Sequence, residues 1–256
     1  MKMRLQKFMA HAGVCSRRHA ERMISEGRVM VNGVVVSEAG VKVEPGSDIV
    51  VADGRKVVLE DSACHEYWLF YKPVSVLSTV RDPFGRPTVM DFFHDIPAKR
   101  LYPVGRLDFD SEGLLLLTND GELANRMLHP RYKFDKTYHV TVKGHPSEKD
   151  ILKLENGLLL DGKKTLPCSI TPLGKTRRSA TLRVILREGR KRQIRRMFDA
   201  VNHRVTRLLR VSSGPLTIKG MKPGARRALD AREIAALKKM CGQAAEAVTS
   251  GTLEGN

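Results

Sequence analysis

The stretch that most constrains this chain is Leu114-Leu-Leu-Leu-Thr118, four consecutive leucines with Gly113 before them and the turn residues Asn119-Asp-Gly121 after. So short and apolar a run between turn signals predicts a strand buried on both faces, which requires a sheet covered on each side. Immediately before it stands Gly105-Arg-Leu-Asp-Phe-Asp-Ser-Glu-Gly113, a polar segment with glycine at each end. The sheet therefore receives a loop that carries Asp108, Asp110 and Glu112 to the edge of a core. The residues alone leave two roles open for these acids: capping turns and pairing with arginines such as Arg106, or performing chemistry.

Charge narrows the partner. The chain has 45 Lys and Arg against 28 Asp and Glu, a formal net charge of +17 over 256 residues, which attracts a polyanion and binds its phosphates. Between Arg183 and Arg227, fourteen Lys or Arg stand against two acids, the concentration expected of an RNA-binding face. Cys15, Cys64, Cys168 and Cys241 are far apart, with no CxxC pair and no His at ligand spacing, so neither a zinc site nor a disulfide framework is expected. The opening residues alternate apolar with charged positions and lack the apolar core of a signal peptide, and no run approaches the roughly 18 apolar residues of a membrane span. The expectation is a soluble, cytoplasmic, monomeric protein with no metal and no membrane association.

Near the N-terminus, Leu5, Phe8, Met9 and Ala12 fall at helical spacing before Gly13, and Ser16 can cap a second helix with an inner face of Ala20, Met23 and Ile24, closed by Gly27. Two β-branched runs then flank Asn32-Gly33, a strong hairpin signal. Arg17 and Arg18 sit at the start of the second helix, where the helix dipole disfavours cations and a phosphate would reverse the sign. Arg17, Arg18, Lys7 and Arg22 are the candidate RNA-backbone contacts; a merely solvated basic face is the alternative. The motifs Arg4-Leu-Gln-Lys7, Ser16-Arg-Arg18, Gly27-Arg-Val29 and Val31-Asn-Gly33 resemble the S4 RNA-binding domain over residues 1–60, which implies RNA binding and no chemistry. The charged, unpatterned stretch from Lys56 to Glu66 holds a linker, placed at 61–66.

A second domain, 67–240, opens on Tyr67-Trp-Leu-Phe-Tyr71, a buried strand stopped by Lys72-Pro73, with Val74 to Thr79 read as another extended run. Helices are expected at Gly121 to Leu128, Lys149 to Asn156, Arg190 to Val201 and Ala231 to Met240, followed by a disordered polar tail at 241–256. The segment from Gly105 to Gly121 resembles the signature of S4-containing rRNA pseudouridine synthases, a family in which the Asp of Gly-Arg-Leu-Asp is catalytic; here that is Asp108. Tyr71-Lys-Pro-Val resembles the family's first motif, with Tyr71 and Ser75 in place of its Asn and Gly. Lys136-Thr-Tyr138 resembles its second, and Arg187 to Met197 its third.

The resemblance implies an α+β fold in which the small αα-ββ module precedes a larger domain with a mainly antiparallel sheet. It implies isomerisation of an rRNA uridine by Asp108, with Tyr138 against the uracil, Ile194 beneath that ring and Arg195 as the cation beside Asp108. Arg106, Lys72, Arg190 and Leu209 would complete the substrate site, and Lys191, Arg192 and Arg196 would contact RNA. No cofactor is implied. The form of Leu117 to Pro130 is more similar to the large-subunit members of the family. A small-subunit rRNA synthase and a non-catalytic S4-type ribosome-assembly factor are the alternatives.

Overall fold

The computed structural model describes residues 2–59, 65–96, 101–129, 132 and 134–250, with the side chains of 243–250 left aside. The chain divides into two compact units, Met1–His65 and Glu66–Asn256.

In the first unit β1 (Met3–Arg4) leads into α1 (Leu5–His11) and α2 (Arg17–Ser25), followed by β2 (Val29–Val31), β3 (Val34–Val35), β4 (Lys42–Val43), β5 (Val50–Ala52) and β6 (Arg55–Val57). The Ser16 side chain accepts from the His19 N–H at 3.1 Å and so caps α2 as its sequence predicts. Asn32 and Gly33 both take positive φ, 51° and 82°, the conformation a two-residue hairpin turn of matching twist demands. Strands β3, β2, β5 and β6 form one antiparallel sheet. Leu5, Phe8, Met9, Ala20, Met23 and Ile24 pack on Val29, Val50 and Val57 in a core of their own.

The second unit is built on a nine-stranded sheet among the described residues. Its elements are β7 (Tyr67–Lys72), β8 (Tyr102–Pro103), β9 (Glu112–Thr118), α3 (Gly121–Leu128), β10 (Lys136–Lys143), α4 (Glu148–Glu155), the small pair β11 (Leu159–Leu160) and β12 (Lys163–Lys164), β13 (Ser169–Lys175), β14 (Ser179–Leu186), α5 (Gln193–Asp199), β15 (Val205–Ser213), β16 (Leu216–Thr217), β17 (Arg226–Ala228) and α6 (Ala231–Ser250). The spatial order is β13-β14-β10-β15-β9-β7-β17. All pairings in this sheet are antiparallel except β9 with β15. The four leucines of β9 behave as predicted: Leu114 and Leu116 enter one core with Tyr67, Leu69 and Tyr71, while Leu115 and Leu117 enter another with Phe70, Val89 and Phe93 on the opposite face. A third core holds Tyr138, Val140 and Val142 of β10 against Ile194, Met197 and Phe198 of α5.

Gly113 allows the single parallel pairing. A Cβ built there would lie 2.2 Å from the Arg210 carbonyl oxygen, so any larger residue would force β9 and β15 apart and move the loop in front of them. Three expectations are corrected locally. Val74 to Thr79 is a turn rather than a strand, because Ser75 adopts φ +63°. The helix expected from Arg190 begins only at Gln193, since Arg192 takes the left-handed conformation, φ 51°, at the N-cap. The last helix runs on through Ser250, into the segment expected as a tail, with Cys241 buried in the core of α3 and α6. The linker positions 60–64 and the terminal 251–256 lie outside the described residues.

Candidate active site: a carboxylate loop fixed by its carbonyls

The loop from Leu107 to Ser111 stands in front of β9, and each of its five carbonyl oxygens accepts a named donor. Ser78 Oγ donates to the Leu107 carbonyl (2.9 Å), Ser111 N–H to that of Asp108 (3.1 Å) and Ser75 N–H to that of Phe109 (2.7 Å). Arg195 Nη2 donates to the Asp110 carbonyl (2.7 Å) and Lys72 Nζ to that of Ser111 (2.8 Å). The Leu107 N–H in turn donates to Ser78 Oγ at 3.1 Å. With the backbone pinned at every carbonyl, the side chains of this loop have fixed origins. Ser75 supplies its share from a positive φ that favours glycine. It is the conformation to which the resembling family's glycine is suited, and Ser75 adopts it here.

The three acids fare differently. Asp110 receives both Arg192 guanidinium nitrogens at 3.0 Å, and Arg195 Nε lies 3.3 Å away at an angle outside hydrogen-bond geometry. Burial raises the Asp110 carboxyl, but the Arg192 hydrogen bonds and the two positive charges outweigh it and hold it below the usual range. Glu112 accepts Arg207 Nε at 2.7 Å and the Tyr71 hydroxyl at 3.0 Å. Tyr71 thus serves as a buried donor to Glu112 at the position of the family's Asn. Among the described residues the one ion pair of Asp108 is to Arg192 Nη1 at 4.0 Å, and about a third of its side chain, 34%, is exposed. Among the described residues it is the acid of the loop that no cation reaches within hydrogen-bond distance.

Two guanidiniums act on Asp108: the expected one, Arg195, through its charge, and Arg192, which forms the 4.0 Å pair. Arg195, buried, joins its guanidinium to Asp110 and to the carbonyls of Asp110 and Val205, and Arg192 stands nearest Asp108 among the described ion pairs. Lys72, expected to line the substrate site, is fully buried and turned inward on the Pro73 and Ser111 carbonyls. Burial lowers Lys72 to about 8, with the charges of Asp108 and Asp110 working against that fall. Tyr138 of β10, Ile194 of α5 and Leu107 share one apolar cluster, so the aromatic ring and its expected support belong to the same core as the residue preceding Asp108. Leu209 lies between Glu112 and His139 in the sheet, and Arg106 is exposed.

Arg190 turns away from the loop to the Lys163 and Lys164 carbonyls and to Glu188. Arg196 is doubly bonded to Asp161, whereas Lys191 is exposed. In the first unit Arg17, Arg18 and Arg22 are exposed along α2, with no acid in its first turn, and Lys7 is half-buried. Ser78, Arg207 and Asp161 carry no signal in the sequence; Ser75 does, as a departure from glycine within a motif.

A basic helix-pair module joined to a sheet domain that presents an anchored carboxylate among guanidiniums defines a two-unit, RNA-directed enzyme. Residues 66–200 match the RNA pseudouridylate synthase family and residues 3–49 the S4 domain. The chain belongs to the RNA pseudouridylate synthase family, whose members are isomerases, in its S4-containing form. It is 47% identical to the ribosomal large subunit pseudouridine synthase B of Bacillus subtilis (strain 168), over 93% of this chain and 96% of that one. It is 43% identical to an uncharacterized RNA pseudouridine synthase of Aquifex aeolicus (strain VF5), over 94% and 96%. A crystal structure of a pseudouridylate synthase superposes with a TM-score of 0.67 at 29% identity, covering 92% of this chain and 99% of that one. Among the described residues no helix is long and apolar enough to cross a membrane.

Proposed function

We propose that this protein converts a uridine of large-subunit ribosomal RNA to pseudouridine, with Asp108 as the carboxylate that acts on the ribose. The observation that carries the assignment is the division of labour in the loop: Asp110 and Glu112 are each engaged by close cations at hydrogen-bond distance, while Asp108 keeps a loose 4.0 Å pair. The relative in Bacillus subtilis named for the large subunit supports the choice of RNA.

The reaction breaks the ribose C1′–N1 bond, turns the uracil and joins C1′ to C5; N1 gains a proton and C5 loses one, so atoms balance without an oxidant. Asp108 either attacks C1′ or removes the C2′ proton. Arg192 holds positive charge beside it, 4.0 Å away. Tyr138 stacks on the detached uracil, with its hydroxyl relaying the C5 proton through water. Ile194 packs beneath it, and Arg106 and Leu209 border the base. A stacked uridine has to leave its helix, at a cost of a few kcal/mol, and phosphate contacts from Lys7, Arg17, Arg18, Arg22 and Lys191 offset that cost. The test is to incubate the protein with unmodified large- and small-subunit rRNA and map pseudouridine at single-nucleotide resolution. A new pseudouridine in large-subunit RNA is expected. Conversion confined to small-subunit RNA would move the target, and none in either RNA or in assembly intermediates would leave a binding protein.

A further inference from the structure

Beside the carboxylate loop lies a second loop that the chemistry above does not use. It leaves the sheet domain at Leu77 and returns at Thr88, and its neck is closed by Leu77 N–H to the Pro87 carbonyl (2.8 Å) and Val89 N–H to the Leu77 carbonyl (2.9 Å). The same neck holds Ser78, whose hydroxyl pins Leu107, the residue before Asp108. Inside the loop the Asp82 carboxylate accepts from the Phe84 and Arg86 N–H groups (3.1 and 3.0 Å) and from the Arg86 guanidinium (3.2 and 2.8 Å). Gly85 supplies the left-handed turn, φ 70°. This internal bonding holds up a tip on which Phe84 is 80% exposed, the Arg86 guanidinium lies 5.3 Å from its ring centroid, and Arg81 is exposed beside it.

A large aromatic ring kept in water by a preformed loop, with a cation over one face and the rest exposed, has the chemistry of a stacking platform for a nucleobase. Its position suits that partner. Phe84 is three residues from Pro87, so it stands within about 10 Å of the neck that touches the Asp108 loop, close to where nucleotides flanking the target would pass. We infer that Phe84, backed by Arg86, stacks on an unpaired base of the substrate RNA a few nucleotides from the target uridine. The inference rests on the proposed function and deepens it, since it names a subsite for a flanking base rather than for the reacting one.

The test compares wild type with Phe84→Leu, Phe84→Ala and Phe84→Trp. Conversion of unmodified rRNA by wild type is read first and bears on the proposed function alone. Binding of the same RNA is then read for every variant, so it decides the inference whether or not turnover is seen. Phe84 is exposed, so equal denaturation midpoints are expected and serve as the folding control. Loss of the ring in the Leu and Ala variants should weaken binding about ten-fold, and KM should rise more than kcat falls; the Trp variant should bind as wild type. 2-Aminopurine placed at unpaired positions within three nucleotides of the target should be quenched by wild type and by the Trp variant but not by the Leu variant. Equal binding and equal quenching in wild type and Phe84→Leu would overturn the inference. So would a loss seen on a pre-ribosomal particle but not on naked RNA, which would assign the tip to a protein partner.

Discussion

The arginines of α2 and those between Arg183 and Arg227 are alike in sequence, both dense and both poor in neighbouring acids, yet they meet different surroundings once the chain folds. Arg17, Arg18 and Arg22 stand exposed on one short helix. In the second group Arg187 pairs with Asp135, Arg192 with Asp110, Arg196 with Asp161, Arg207 with Glu112, Arg226 with Asp95 and Arg227 with Glu233. Five of those six acids come from other parts of the chain and the sixth from just beyond the segment. A local charge surplus is thus a measure of phosphate affinity only where the fold leaves it unanswered. Where acids fold back on it, the same surplus becomes scaffolding, here for the loop that bears Asp108.

The largest expected effect tests the scaffolding half of this contrast. Asp108→Asn keeps size but removes the charge, so single-turnover pseudouridine formation should fall at least about 10³-fold, with RNA affinity by filter binding kept or improved. Asp110→Asn removes the partner shared by Arg192 and Arg195. Activity should fall roughly ten- to a hundred-fold and remain measurable, with a stability loss of about 1–2 kcal/mol in denaturant titration, discounted because Asp110 is partly exposed. A deeper loss in Asp110→Asn than in Asp108→Asn would reverse the assignment of the two acids.

Salt dependence tests the contrast directly. Replacing Arg17 and Arg18 by Gln should lower the slope of log affinity against log salt by about two, near one per phosphate contact, whereas Arg196→Gln should change it by much less than one. Equal slopes for both substitutions would dissolve the distinction between exposed and paired arginines. The smallest effect is on Lys72, which folds to a value of about 8 against about 10.4 unfolded. Between these values the unfolded chain holds the extra proton, so this group's contribution to stability improves as pH rises from 8; below 8 the cost of burying its charge is fully present. Asp108→Asn removes the first anion that supports that charge, so Lys72 should titrate lower still, as followed by NMR of labelled lysine.

The sequence by itself determined the elements and the motif that bears the chemistry. The four leucines required a strand covered on both faces, Ser16 and Asn32-Gly33 fixed a cap and a hairpin, and Gly105 to Gly113 marked the loop. These are local constraints, set by side-chain periodicity and by the few backbone conformations that given residues tolerate. Which acid stays available, which arginine stands beside it, and that Lys72 faces inward were decided only by tertiary structure. Each depends on partners dozens of residues away, as with Arg195 and Asp110 or Arg207 and Glu112. Electrostatic pairing acts through space over a few ångströms, and one sequence does not state which distant residues the fold brings that close.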